Sequence, residues 1–229
     1  MTPPATKALR IQINDGQAVS GLLMVPAQAH ACYVFAHGAG AGMDHPFMEA
    51  MALGLAAHGI ATLRYQFSYM ERGSKRTDAP PLAHAAVRAA VIEAARLVPK
   101  LPLIAGGKSF GARMTSQAQA ASPLPGVRGL VFVGFPLHPD KKPSQERGKH
   151  LSNVTCPMLF LQGTRDELAD IGLVHALVDQ LGSTATLKVF DDADHSFHVR
   201  VKSGRTDAEV RNSMAQAIAT WLDVIGVVA

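Results

Sequence analysis

The sequence predicts an α/β fold: about eight mostly parallel strands in one sheet, with helices on both faces. Three observations carry that prediction. Short β-branched runs alternate along the chain with longer helical patterns, as expected of strands joined by crossover helices. The first two runs are separated only by Asn14-Asp15-Gly16, a turn signal that makes them an antiparallel hairpin at one edge. Finally, 229 residues that are 48% hydrophobic and 17% charged suit a folded globular chain with one sizeable core. We read residues 1–229 as a single domain.

The strands are expected at 7–13, 18–25, 31–36, 60–65, 101–105, 128–134, 157–162 and 186–190. A helix over 83–98 gathers Ala83, Val87, Val91, Ala94 and Val98 on one face and turns Arg88 and Arg96 away. The last helix has the fullest signature. Thr206 and Glu209 form a capping box, and Val210, Met214, Ile218, Trp221 and Ile225 follow as a buried stripe. Gly59 and Gly182 end helices that begin near Pro46 and Glu167. Two stretches, 66–82 and 135–155, read as irregular and are rich in Pro, Gly, Lys and Arg.

Composition narrows the function classes. The 22 basic and 18 acidic residues leave a formal charge of +4 without any run of like charge, so nucleic acid is not an expected partner and anionic partners are only hinted at. No segment reaches the roughly 18 apolar residues of a membrane span, and the N-terminal Met1-Thr2-Pro3-Pro4-Ala5-Thr6-Lys7 lacks the pattern of a secretion signal. Cys32 and Cys156 lie in apolar runs and read as core thiols of a reducing compartment. The expectation is a soluble cytoplasmic protein, monomer or homodimer, acting on a small molecule.

The chemistry is concentrated at Gly107-Lys108-Ser109-Phe110-Gly111, which follows an apolar strand and opens a helical stretch. That is the setting of a G-x-S-x-G nucleophile elbow, where a strained turn exposes the serine and the positions two before and two after it must be small. The alternative is a phosphate loop, since Gly107-Lys108-Ser109 matches the end of G-x-x-x-x-G-K-[ST]. Pro102 stands where that motif needs its first glycine, which disfavours it.

A serine hydroxyl becomes a good nucleophile only when an imidazole takes its proton and a third group orients that imidazole. In this architecture the acid and the histidine follow the serine in that order, each on a loop after a later strand. The run Met158–Gly163 leads into Thr164-Arg165-Asp166-Glu167, and Leu187–Phe190 leads into Asp194-His195-Ser196-Phe197. Asp166 is the expected orienter, with Glu167 and Asp170 as rivals and helix capping as its alternative role. His195 is the expected base, ahead of His198. An oxyanion hole needs two backbone donors; Phe110 supplies one, and the Gly-rich loop His37-Gly38-Ala39-Gly40 the other, from Ala39 ahead of Gly40.

These four segments resemble the α/β-hydrolase superfamily over nearly the whole chain. Arg64–Gly73 and Phe135-Pro136-Leu137-His138 look like a small lidless branch that also contains testis-expressed and chromatin-complex hydrolase-like proteins and is similar to dienelactone hydrolases. The resemblance implies a serine hydrolase of esters, thioesters or amides, with no metal and no organic cofactor. It departs from dienelactone hydrolases in carrying serine at position 109. Residues 136–155 are too few for a helical cap, so an open site is expected. His37, Gly40, Lys108 and Arg72 are the candidate substrate contacts, Arg72 belonging with Lys75 and Arg76 to a basic loop suited to an anionic group. The reading from another class is a non-catalytic binding or scaffold module on the same fold.

Overall fold

The computed structural model describes residues 4–227, so Met1 to Pro3 of the N-terminal segment and Val228 and Ala229 lie outside the described residues. Eight strands form one sheet: β1 Thr6–Asn14, β2 Gln17–Met24, β3 Ala31–Ala36, β4 Ile60–Tyr65, β5 Leu103–Lys108, β6 Val127–Val133, β7 Met158–Gly163 and β8 Ala185–Phe190. Their order is β1-β2-β4-β3-β5-β6-β7-β8. The β1–β2 hairpin pairs Asn14 with Gln17 and stands at one edge, where β2 runs antiparallel to both β1 and β4. From β4 to β8 every pairing is parallel. Among the described residues, six helices, α1 Pro46–Ala57, α2 Ser68–Glu71, α3 Pro80–Leu97, α4 Phe110–Ala121, α5 Ile171–Leu181 and α6 Asp207–Val224, accompany the sheet together with short 3-10 turns.

Strands β3, β4 and β7 are buried along their whole length, as strands covered on both faces must be. The core accordingly divides into two layers. Val34, Ala36, Leu63, Ala105 and Phe132 face Val87, Val91, Met114 and Leu177 of α3, α4 and α5. Tyr33, Phe35, Ile104, Val131 and Leu159 face Met51, Leu55, Met214, Ile218 and Trp221 of α1 and α6.

Three elements differ from their expected bounds by more than one residue, each for a local reason. Strand β5 begins at Leu103, two residues late, because Pro102 has no N–H to give a ladder and only its carbonyl is used, by the Cys32 N–H. It then runs on through Gly106, Gly107 and Lys108 against β6, which carries the strand up to Ser109. Helix α3 starts at Pro80, with prolines in its first turn where a missing N–H is harmless. Helix α5 starts at Ile171, capped by Asp170, whose carboxylate accepts the Leu173 N–H at 3.0 Å. At the ends of their stripes, Val98 and Ile225 are half-buried residues at helix C-caps.

The connection from β6 to β7 holds a 3-10 segment, Glu146–Asn153, packed against α4 and α5, and no separate cap stands over the sheet among the described residues. Within the expected irregular stretch 66–82, α2 occupies four residues. Cys32 is fully buried and Cys156 partly so; both are free thiols. Among the described residues no helix is long and apolar enough to cross a membrane.

At Thr206 both halves of the capping box are made: its hydroxyl accepts the Glu209 N–H at 3.2 Å and the Glu209 carboxylate accepts the Thr206 N–H at 2.7 Å. Thr206→Ala is expected to lower stability by about 1 kcal/mol, measured by denaturant unfolding, with little change in the slope of the transition.

Candidate active site

Ser109 sits between the last residue of β5 and the first of α4, at φ 50° and ψ −110°. A non-glycine residue in this region is strained by an amount on the order of 1–3 kcal/mol and persists only where its surroundings hold it. Two contacts do so. The Ser109 N–H donates to the Val133 carbonyl at 3.0 Å, and its carbonyl accepts the Arg113 N–H at 3.1 Å. The flanking glycines are required by space. A Cβ on Gly107 would lie 2.5 Å from the Ala36 carbonyl oxygen, and one on Gly111 would lie 2.7 Å from the carbonyl oxygens of both Ala36 and His37. Helix α4 can therefore start against the end of β3 only if both positions lack side chains.

The loops after β7 and β8 bring the other two groups to the same edge of the sheet. Their backbones are laced together: the Thr164 N–H donates to the Phe190 carbonyl at 3.1 Å, Arg165 to Ala193 at 2.9 Å, and the Asp192 N–H to the Thr164 hydroxyl at 2.9 Å. Gly163 permits this, because a Cβ there would meet the Ala193 carbonyl oxygen at 2.3 Å.

The outcome is one continuous line of hydrogen bonds. His195 Nε2 lies 2.8 Å from Ser109 Oγ, and His195 Nδ1 lies 2.8 Å from Asp166 Oδ2. With Nδ1–H donating to the carboxylate, Nε2 is left to accept the serine proton. The Asp166 carboxylate has no solvent exposure. It is compensated by the Leu168 N–H at 2.8 Å on Oδ1 and by the Gln162 amide at 2.5 Å on Oδ2. Its rivals do other work: Asp170 caps α5, and Glu167 is exposed. His198 points away and pairs with Asp207 at 2.9 Å, which holds its pKa above the ordinary histidine range. Asp194 fixes the turn that carries His195 by accepting the Ser196 and His198 N–H groups at 2.8 and 3.0 Å.

Ser109, Lys108 and His195 share a cavity of about 340 Å³ with Ala39, Gly40, Phe47 and Met48. Neither the Phe110 nor the Ala39 N–H has an acceptor among the described residues, whereas the Gly40 N–H donates to the Tyr69 hydroxyl at 3.3 Å. Tyr69 thereby separates Ala39 from its rival Gly40.

Two expected substrate contacts do not stand in this cavity. His37 is fully buried; its Nδ1 meets the Gly38 carbonyl at 2.8 Å and its Nε2 accepts the Phe67 N–H at 3.0 Å. Burial pushes its pKa down to about 4, so it is a neutral brace between two loops and not a ligand contact. Arg72 lies outside the cavity, with its guanidinium engaged by Asp78 at 2.9 Å. Lys108 does line the cavity, but its ammonium is spent on the His195 carbonyl at 2.6 Å and lies 5.6 Å from the centre of the Phe197 ring. Enclosure lowers its pKa to about 8 against the opposing pull of Asp166 and Asp194.

Two functional positions carry weaker signals in the sequence. Gln162 is a polar residue inside the apolar run Met158–Gly163, which in a strand buried on both faces signals a specific partner; it gives its amide to Asp166 and accepts the Phe135 N–H at 3.1 Å. Tyr69 lies in a short helix with no periodicity to reveal it.

Comparison with known proteins agrees with this architecture. The model of the alpha/beta hydrolase domain matches residues 29–223, and the chain belongs to that family. Among solved structures, a dienelactone hydrolase from Anabaena variabilis superposes with a TM-score of 0.77 at 20% identity, covering 96% of this chain and 98% of that one. An alpha-beta serine hydrolase homologue from Coxiella burnetii gives 0.74 at 21% identity, covering 92% of this chain and 96% of that one. A serine hydrolase without a lid from Xanthomonas campestris gives 0.72 at 21% identity, with 96% and 97% covered.

Gly111→Ala is expected to destabilise the protein by about 2–4 kcal/mol, read by thermal or denaturant unfolding, since the new methyl meets backbone that cannot step aside. Lys108 predicts a pH dependence. Its folded pKa is below its unfolded one, so above about pH 8 the unfolded chain holds the proton longer, and native stability gains as pH rises through that value. Unfolding of the protein and of Lys108→Met at pH 7 and pH 9.5 should show the unsubstituted protein gaining on the variant at the higher pH. An unchanged difference would mean that Lys108 is not enclosed as described.

Proposed function

We propose that the protein is a serine hydrolase of small esters, thioesters or amides. The observation that carries this reading is the unbroken Ser109–His195–Asp166 line, with both hydrogen bonds at 2.8 Å. In the first step Ser109 Oγ attacks the substrate carbonyl carbon while His195 Nε2 takes the hydroxyl proton. The negative charge that develops on the carbonyl oxygen is met by the free N–H groups of Phe110 and Ala39. Collapse breaks the bond to the leaving group, which receives the proton from His195 and departs. Water then adds to the acyl-enzyme, again through His195, and releases the acid and Ser109. Asp166 keeps His195 in the tautomer that accepts at Nε2 and stabilises the imidazolium formed in passing. Gln162 and the Leu168 N–H hold the carboxylate in place. The two free thiols favour a cytoplasmic location.

With only a 3-10 segment between β6 and β7, and a small cavity at Ser109, short acyl groups are the expected substrates. A fluorophosphonate probe should label the protein and not Ser109→Ala; equal labelling of the two would remove Ser109 as nucleophile, and absence of labelling in both would favour a non-catalytic binding module. On nitrophenyl esters, kcat is expected to fall by about a millionfold in Ser109→Ala and about ten-thousandfold in Asp166→Asn, with activity dropping sharply beyond short acyl chains.

A further inference from the structure

A second cavity, of about 580 Å³, lies between the loop that follows α2 and the beginnings of α3 and α4. Its lining holds three guanidinium groups, Arg72, Arg76 and Arg113, and one carboxylate, Asp78. Asp78 is already committed: it accepts the Tyr69 N–H at 3.0 Å and pairs with Arg72 at 2.9 Å. Arg76 and Arg113 have no carboxylate partner among the described residues. Arg113 is partly buried, and its Nε is enclosed without a hydrogen-bond partner.

The surroundings add positive charge. Arg147, on the 3-10 segment, lowers the pKa of Arg113 on top of burial, and Arg113 helps burial to push His150 down to about 4. Like charges gathered in a partly desolvated pocket are costly unless an anion is bound there. The planar fork of arginine matches the two oxygens of a carboxylate or a phosphate.

This cavity lies next to the reacting serine. Arg113 is four residues along α4 from Ser109, about 6 Å of rise, and Phe110, whose N–H faces the oxyanion, forms part of the cavity wall. An ester has two arms about its carbonyl carbon. The cavity shared by Ser109, Phe47 and Met48 suits an uncharged arm, and the arginine cavity a charged one.

We propose that Arg76 and Arg113 form a subsite for an anionic group, carboxylate or phosphate, carried on one arm of the ester that Ser109 cleaves. The inference rests on the serine hydrolase reading and supplies its substrate class. It also moves anion recognition from Arg72, which is already paired, to the two arginines that are not.

The test compares matched nitrophenyl esters, a neutral pentanoate, a hemiglutarate with a terminal carboxylate, and the analogue with a terminal phosphonate, on the protein and on Arg113→Gln, Arg76→Gln and Lys100→Gln. Lys100 is exposed and precedes β5, at the opposite edge of the sheet from Ser109. The unsubstituted protein is expected to favour at least one anionic ester in kcat/KM. The anionic-to-neutral ratio should fall about tenfold to a hundredfold in Arg113→Gln or Arg76→Gln and stay put in Lys100→Gln. Whichever of carboxylate and phosphonate loses more identifies the group. Arg76 is exposed, so its variant keeps the test decisive if Arg113→Gln does not fold. No preference in the unsubstituted protein, or a ratio that survives both arginine substitutions, overturns the subsite while leaving the hydrolase intact. If no ester is turned over in a Ser109-dependent way, the hydrolase reading falls and the subsite with it.

Discussion

Helix α4 begins against the carbonyl end of β3, and that contact is possible only because Gly107 and Gly111 have no side chains. Everything at the site follows from this approach. Were the helix a methyl group further away, Ser109 would relax out of its positive-φ conformation and its hydroxyl would leave the reach of His195. The strain at Ser109 is held by packing on both sides: Val133 of β6 takes its N–H, and the first turn of α4 takes its carbonyl. The cost of a strained residue is thus spread over two strands of the sheet, β3 and β6, and helix α4.

The remaining groups reach the serine through a second close contact. Gly163 lets the β7 and β8 loops lie backbone to backbone, so that the loops bearing Asp166 and His195 form one body. Lys108 ties that body back to the elbow through the His195 carbonyl. The Asp166 carboxylate is buried among donors whose hydrogen bonds take the place of water. The Lys108 cation and the Asp166 carboxylate lie close enough to stabilise one another, which opposes the cost of enclosing Lys108.

Much of this was legible in the sequence because it is local. Strand runs, the Thr206 capping box and the G-x-S-x-G spacing depend on residues near one another in the chain, and the order of the acid and histidine loops follows from the topology those runs impose. What was not legible depends on which polar atoms meet across the fold. Asp166 and Asp170 are alike in sequence, and only the placement of the loop decides that Asp170 caps α5 while Asp166 turns inward. Arg72 lies in a basic loop and Arg113 on a helix, and only the fold brings Asp78 to the first and leaves the second without a carboxylate. His37 stands beside the Gly-rich loop and reads as accessible, yet the Phe67 N–H pins it beneath the surface. The start of β5 is legible too, since Pro102 has no N–H to give a ladder bond.

Tyr69 joins the loop after β3 to the loop after β4, accepting from the Gly40 N–H and packing its ring on Phe67 and Phe110. These two loops therefore cannot vary independently in length. An insertion in 66–79 would pull on the segment that holds Ala39, whereas residues 139–143, exposed and tied to neither loop, are free to lengthen. A descendant of this chain that gained a lid would be expected to grow it there, leaving the chemical centre as it stands.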